Sequence, residues 1–431
     1  MNKSLVIAIV SLLLAHTCVH AQGVKDGKIM LSEDGTSYFK TTLLVQSWVR
    51  YQEYNPGTTI FGYSKDSGAD VGIRRFRMQT IGQLTDRIFI YAQIGENNFN
   101  NISDRKLGFF VHDAYGEYAV LKDKLSVGAG LSGWSGLSRF SSPGVGSILG
   151  VDAPLYLQST NDVTDQFLRK LSVHAKGKLN RLDYRVALSQ PMAIQKSAGY
   201  SPKAGPKATF SPKPPALETN LYVMYQFRDK ESNLTPYTTG TYLGSKTVFN
   251  MGAGLVYQPR AMWYTDTRGD TLDHDMLQAA VDVYYDAPLN DRGAAVSFYG
   301  TFTIFNFGPQ YLRNAGAMNP ANGSNDATVL NGGGNAFPLV GTGNVLYLQA
   351  GYKMPVKPGK IGIMPYASVQ YAHYKALEKP VSFYDLGLNW YLKGHTSKLT
   401  TAFQSRPVYA SDGTYMSRKG AFIAQYQVFF G

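Results

Sequence analysis

The sequence predicts an all-β fold, a transmembrane antiparallel β-barrel of 16 strands with short periplasmic turns and long extracellular loops. Segments of alternating hydrophobicity recur along the chain, among them LLVQSWVRY (Leu43–Tyr51) and LSVHAKGKL (Leu171–Leu179). Each has the roughly 9–11 residues that a tilted strand needs to cross a bilayer with one face on lipid and one on water. Their connections are alternately short and long. Beyond the first residues, no apolar run is long enough for a membrane helix.

The N-terminus reads as a cleavable secretory signal over residues 1–21. Lys3 supplies the positive start, Leu5 to Ala15 the apolar stretch and Val19-His20-Ala21 the cleavage site. Residues 22–37 are then a short periplasmic segment and 38–431 the barrel. Cys18 is the only cysteine, and His16-Thr17 before it fit a lipoprotein signal poorly. Loss of Cys18 with the signal excludes a disulfide scaffold and thiolate metal sites. Lys and Arg total 42 against 30 Asp and Glu, but the charge is dispersed and no basic arm for nucleic acid is present. The 30 Tyr outnumber 22 Phe and 4 Trp, which suits membrane interfaces, where the ring tolerates acyl chains and the hydroxyl stays wet.

Strands are expected to start near Tyr38, Val71, Ile88, Phe109, Leu125, Leu168, Leu182 and Leu221, and then near Thr247, Met276, Ala295, Val345, Ile361, Val381, Lys398 and Lys419. Tight turns are expected at Thr85-Asp86-Arg87, Lys122-Asp123, Asn180-Arg181, Pro355 to Lys360 and Gly394 to Ser397. Between them lie Gly/Pro/Asn/Ser-rich stretches: Asn55 to Asp70, Ser135 to Asp165, Met192 to Leu217, Gln258 to Asp273 and Phe307 to Thr342. Asp229 to Gly244 stands apart, longer than its place among the short turns predicts.

Register gives the facing, because residues directly opposite in a hairpin share a face. A two-residue turn at Lys122-Asp123 sets Val120 against Leu125, Tyr118 against Val127 and Ala114 against Leu131 on an apolar side. The other side carries Asp113 with Ser132 and Glu117 with Gly128. The Asn180-Arg181 turn puts Val173, Ala175 and Leu179 on the apolar face and His174, Lys176, Lys178 and Arg185 on the polar one. For the pair around Asp86 a three-residue turn at Thr85 to Arg87 separates the faces, with Met78–Ile94 outward and Gln79–Gln93 inward, and a bulge would give the same result. Arg or Lys on lipid costs about 2–4 kcal/mol near the midplane, so the polar face is the lumen.

The basic lumen residues form the candidate site. Arg75 and Arg77 share a face about 7 Å apart, and Lys176 sits opposite Arg185, where like charges repel. Lys170, His174 and Lys178 extend the row. Clustered cations favour anions in a pore, but wide lumens also carry solvated, partly paired charge. Asp113, Glu117 and Asp183 are the pore-lining acids, with Lys178 and Asp183 as one pair. Selective anion passage and an unselective, weakly anion-leaning pore both fit. The segment Leu131 to Pro143, with Trp134, Arg139 and Phe140, is long enough to fold inward as a constriction or to remain an external loop. Gln195 to Pro215, with Lys196, Lys203, Lys207 and Lys213 and no acid, reads as an extended solvated loop, with attraction of anions at the mouth as the alternative.

Enzyme signals are weak. Asp273-His274-Asp275 alternate faces in a strand and do not share an ion. Gly133-Trp134-Ser135-Gly136 lacks the strand–turn–helix context of a hydrolase elbow. His112 falls on the apolar face near a rim.

The segment GIRRFRMQTIGQL (Gly72–Leu84), followed by IFIYAQIG (Ile88–Gly95) and HDAYGEYAV (His112–Val120), resembles the phosphate-selective porin O and P family of bacterial outer membranes. The resemblance covers about the first 190 residues and is one of pattern beyond them. It implies a trimeric 16-stranded barrel whose inward Arg75 and Arg77 pass anions, with Lys176 and Lys178 in a comparable strand. The full arginine ladder and lysine ring of that family are not recovered, and the terminal aromatic is followed by Gly431.

The expected function is passive diffusion of small hydrophilic solutes across an outer membrane with a bias to anions, phosphate or other oxyanions among them. The expected partners are outer-membrane lipid and two further copies of the chain, with no cofactor, metal, nucleic acid or enzymatic activity. The rival reading is a barrel acting as an adhesin or scaffold in an envelope complex.

Overall fold

The computed structural model describes residues 23–25, 27–103, 108–134, 136–194, 203–321, 323, 324, 327–357 and 359–431. Residues 1–22, including Lys3 and Cys18 of the expected signal, and Lys196 lie outside these residues. Sixteen antiparallel strands close into one barrel. They are β1 (Tyr38–Glu53), β2 (Ser67–Gln83), β3 (Ile88–Phe99), β4 (Phe110–Leu121), β5 (Leu125–Ser132), β6 (Lys170–Leu179), β7 (Leu182–Gln190) and β8 (Glu218–Gln226). The second half is β9 (Val248–Thr265), β10 (Thr271–Pro288), β11 (Ala295–Asn306), β12 (Gly343–Lys353), β13 (Gly362–Tyr374), β14 (Val381–Lys393), β15 (Ser397–Tyr409) and β16 (Tyr415–Phe430). Each strand pairs with its sequence neighbour, and β16 closes on β1 from Ala421↔Gln52 to Phe430↔Leu43. Closure removes the unpaired edges that a bilayer cannot satisfy. A short N-terminal hairpin (Gly23–Lys25 with Lys28–Met30) pairs onto the start of β1.

The registers follow from the turns. The Asn180-Arg181 hairpin pairs Leu179↔Leu182 through Leu171↔Gln190, with Lys176↔Arg185 among them. The three-residue turn after Leu84 gives Met78↔Ile94 and Gln79↔Gln93. At the β4–β5 turn the expected pairing holds from Ala114↔Leu131 to Ala119↔Ser126, but Leu121, in place of Val120, then faces Leu125 across a bulge. The turn is therefore one residue longer, and Lys124 N donates to Leu121 O, with Asp123 at positive φ.

The expected long loop at Gln258 to Asp273 is instead strand. β9 and β10 pair outward to Thr265↔Thr271 past a bulge between Gln258 and Met262. Pro259 sits inside that bulge, where its missing N–H takes nothing from the ladder. Gly269, at φ +86, turns the chain.

Outside, the barrel is apolar. Val173 is 63% exposed and Val281 58%, whereas Lys176 on the alternate face is 5% exposed. A continuous apolar belt of this kind belongs in hydrocarbon. Val281→Arg, mid-strand on that belt, is expected to lower unfolding free energy in bilayers by about 2–4 kcal/mol, measured by denaturant titration. No loss would place this face in water.

Three connections fill the interior: loop L3 (133–169) between β5 and β6, loop L6 (307–342) between β11 and β12, and the segment 227–247 at the short-turn end between β8 and β9. L3 packs Phe140, Tyr156 and Leu157 with Tyr284, Tyr299 and Phe305 of the β10–β11 wall. Gly254 permits this approach, since a Cβ there would lie 2.2 Å from Leu137 O.

Candidate functional site

Packing of L3 against one wall leaves open space on the other. A cavity of about 470 Å³ runs between L3 and β1–β3, from Tyr237 and Phe429 near the turn end to Arg313 and Met318 of L6. Arg74, Arg75, Arg77, Arg169 and Arg313 line it. Asp162 is the only carboxylate among its described lining residues.

Alternation on β2 would turn Arg74 to lipid, and a bulge prevents this. Arg75 pairs with Gln46 and Ile73 with Ser47, so Arg74 is the extra residue and swings inward beside Arg75. Asn98 opposite adopts φ +61 and accepts from Arg74 Nη1 at 2.7 Å. Asp152 at the tip of L3 takes both guanidiniums, Arg74 at 2.7 Å and Arg75 in a shorter contact. Burial alone would raise the Asp152 carboxyl, but Arg74 and Arg75 outweigh it and hold it below the ordinary carboxylate range. Among the described residues Arg77 makes no ion pair with a carboxylate; it bonds Asn97 and the His112 ring. His112 was expected on the outer face, but a second bulge, between Gln93 and Ile94, brings it inward next to Asp113.

The other expected basic residues face the interior but do not line this cavity. Lys176 bonds Glu117 at 2.7 Å, and His174 Nε2 lies 3.0 Å from Glu117 Oε1. Arg185 Nε reaches Asp183 at 3.2 Å. Lys178 instead donates to the carbonyl of Glu231, so the pairing expected with Asp183 gives way to Arg185. Lys170 is buried against both oxygens of Glu218 at 2.7 Å, beneath L3. Asp113 accepts from Arg169 at 3.2 Å and from Tyr237 Oη at 2.6 Å. The repulsion between Lys176 and Arg185 is therefore relieved by fixed carboxylates and does not require an anion in transit.

Trp134, Arg139 and Phe140 all lie inside the barrel, at 3%, 1% and 1% exposure. Trp134 lies under the Lys176 ammonium, 4.7 Å from its ring. Arg139 makes a clasp with the inner segment: its Nη1 and Nη2 reach Glu231 at 2.5 and 2.6 Å, and Nη2 also reaches Thr239 O at 2.7 Å. Pro143–Gly144 pairs in parallel with Thr238–Thr239, and Gly240 N donates to Ser147 Oγ at 2.9 Å. Gly240 is required there, because a Cβ would lie 2.5 Å from Ile148 Cα. The stretches of L3 that border the cavity are Pro143 to Ser147 and parts of 153–168, further along than Trp134 to Phe140.

Alternation alone missed Arg74, Arg169 and Arg313. For Arg74 a signal existed: an arginine at a lipid-facing register position mid-strand is itself a reason to expect a bulge. Arg169 and Arg313 sit outside the strand pattern, and Arg313 donates to Asn161 O and Ser159 O at 3.0 Å, joining L6 to L3. On β9–β10, Asp273 takes Lys213, Asp275 takes Tyr257 Oη, and His274 meets Asn306, so the three go to different partners.

No protein-family model matches the chain, and no curated protein matches it in sequence. Solved structures do match in fold. OprB of Pseudomonas putida aligns over 91% of this chain and 94% of its own at 11% identity with a TM-score of 0.54. OmpF of Salmonella typhi aligns over 92% and 99% at 10% identity with a TM-score of 0.52. The outer membrane channel DcaP of Acinetobacter baumannii aligns over 92% and 98% at 11% identity with a TM-score of 0.50. With identities this low the likeness is one of fold, and that fold is the closed 16-stranded antiparallel barrel of bacterial outer-membrane porins.

Proposed function

We propose that the protein is an outer-membrane porin through which small hydrophilic solutes diffuse passively, with a bias to anions, phosphate and other oxyanions among them. The observation that carries this reading is the cavity between L3 and β1–β3, where five arginines face Asp162 as the only carboxylate among the described lining residues, with Asp152 behind Arg74 and Arg75 and Asp113 behind Arg169. An anion entering it exchanges hydration for guanidinium N–H donors, which match oxyanions in pairs. Residual water keeps the effective dielectric high, so the attraction biases passage without trapping the ion. Association as a homotrimer is part of the same proposal, read by sizing in mild detergent.

In planar bilayers the protein is expected to give stepwise conductance that phosphate titrated into chloride reduces. A barrel serving only as adhesin or scaffold gives none. The passage also has a pH dependence of defined sign. Burial and neighbouring Asp165 push the Asp162 carboxyl up to about 6, with Arg313 and Arg74 opposing. Below that value Asp162 is neutral and the passage more positive. Lowering pH from about 8 to about 5, either side of that pKa, is therefore expected to move the zero-current potential toward chloride. Asp162→Asn should show the acid value throughout, and a wild-type potential flat across this range would remove Asp162 from the ion path.

A further inference from the structure

The last four residues of L3 form a turn that its sequence does not favour. Gln166 N donates to Arg169 O and Arg169 N to Gln166 O, each at 3.0 Å, closing a two-residue antiparallel hairpin. Between them Phe167 stands at φ +48 and Leu168 at φ +73. A hairpin with both central residues at positive φ is normally built from Asn-Gly, Asp-Gly or Gly-Gly. Two bulky side chains there press Cβ toward a carbonyl oxygen at each position. Asparagine or glycine would lower that cost without changing the path of the chain.

The strain falls at the arginine-lined cavity, because Phe167, Leu168 and Arg169 all line it. Leu168 is buried. Phe167 and Tyr237, which lines the cavity too, are only half-buried and keep ring surface open to it. Phe110 stacks behind Phe167, with centroids 5.7 Å apart and planes at 21°, and so orients its ring. Cations flank this surface. The Phe167 ring centroid lies 6.0 Å from that of His112, which bonds Arg77. Arg169 Nη1 donates to the Phe167 carbonyl at 2.6 Å, and its guanidinium lies 5.2 Å from the Tyr237 ring centroid. Leu155 and Leu339 continue the apolar lining on L3 and L6.

A chloride or phosphate ion gains nothing from such surface. An anion with a flat apolar body gains twice. Its carboxylate meets guanidinium N–H donors, and its ring displaces water from Phe167 and Tyr237. At about 470 Å³ the cavity is far larger than an inorganic ion fills, and falls within the roughly 300–1,000 Å³ of small-molecule sites.

We propose that the anions this cavity favours are aromatic carboxylates. Phe167 sets the preference for the ring, and Arg77 and Arg169 hold the carboxylate. This rests on the anion reading above and names a solute class for it. The strained turn places an aromatic ring where the residues its backbone suits would leave water.

The test is titration calorimetry on the full protein in mild detergent at neutral pH. Benzoate is the probe, and acetate, with the same charge and no ring, the control. Burial of the ring is expected to make benzoate bind about tenfold more tightly than acetate. Phe167→Asn keeps the turn, since asparagine tolerates positive φ. It should bring benzoate down to the affinity of acetate and leave acetate unchanged. Arg77→Gln should weaken both anions together, because it removes a carboxylate partner and leaves the ring. The readout needs no conduction, and the wild-type ratio needs no variant. Equal affinity for benzoate and acetate in the wild type, or a benzoate preference that survives Phe167→Asn, would overturn the proposal and leave the anion reading standing. Binding of neither anion would remove both.

Discussion

Replacing Arg75 and Arg77 together by glutamate will move the zero-current potential in a salt gradient from the anion side toward the cation side. The change is four units of charge on one face of β2 lining the cavity. In a water-like dielectric each unit about 7 Å from a permeating ion contributes about 0.6 kcal/mol. Salt near 0.1 M roughly halves that figure. The combined effect is on the order of 1 kcal/mol, about a fivefold to tenfold change in relative preference. Arg77→Gln is the milder companion. Among the described residues Arg77 makes no ion pair with a carboxylate, so its removal leaves no acid among them unpaired, and about a quarter of the shift is expected. If the potential stays put in both variants, the arginine wall does not lie on the ion path. The barrel itself would be untouched by that result.

Arg139→Ala is expected to enlarge the conductance step and make it less uniform. Arg139 holds L3 to the inner segment through both oxygens of Glu231 and through Thr239 O. Its guanidinium also lies 3.6 Å from the centroid of the Tyr284 ring. Removing one partner of a buried ion pair leaves the other charge uncompensated, at about 3–5 kcal/mol. That is enough to release residues 227–247 from the barrel interior without opening the strand ladder. The double replacement Arg139→Leu with Glu231→Leu removes both charges and retains apolar packing, so it should fall close to wild type. Single-channel recording compares the three. Identical steps in all of them would mean that the clasp does not limit the passage.

Much of the barrel was legible in the chain, for a simple reason. Lipid on one side and enclosed water on the other impose a period of two. The Asn180-Arg181 and Thr85 to Arg87 turns then set registers that no tertiary contact had to decide. Strand ends were less legible where a polar or proline-containing stretch stayed in the ladder, as at Gln258 to Asp273, because a bulge absorbs what the pattern treats as a break. Bulges also account for the misread facing of His112 and the missed Arg74, since one inserted residue inverts everything on its side of the insertion.

The candidate site was legible only in part. Arg75 and Arg77 follow from alternation, and both line the cavity. Lys170, His174, Lys176, Lys178 and Arg185 are turned inward, yet they face packed loop and carboxylates instead of open space. Nothing local to β6 and β7 reveals that Glu117, Glu218 and the 227–247 segment will arrive opposite them.

By itself the sequence determined a closed antiparallel cylinder with hydrocarbon outside and ionic groups inside, because each strand solves that partition locally, two residues at a time. Only the tertiary structure decided where the enclosed water runs. L3, L6 and the inner segment are brought together by contacts such as Arg139 with Glu231, Arg313 with Asn161 and Asp152 with Arg74. These join residues from about 80 to over 150 positions apart. Such pairings depend on loop closure across the barrel and leave no periodic trace in the chain.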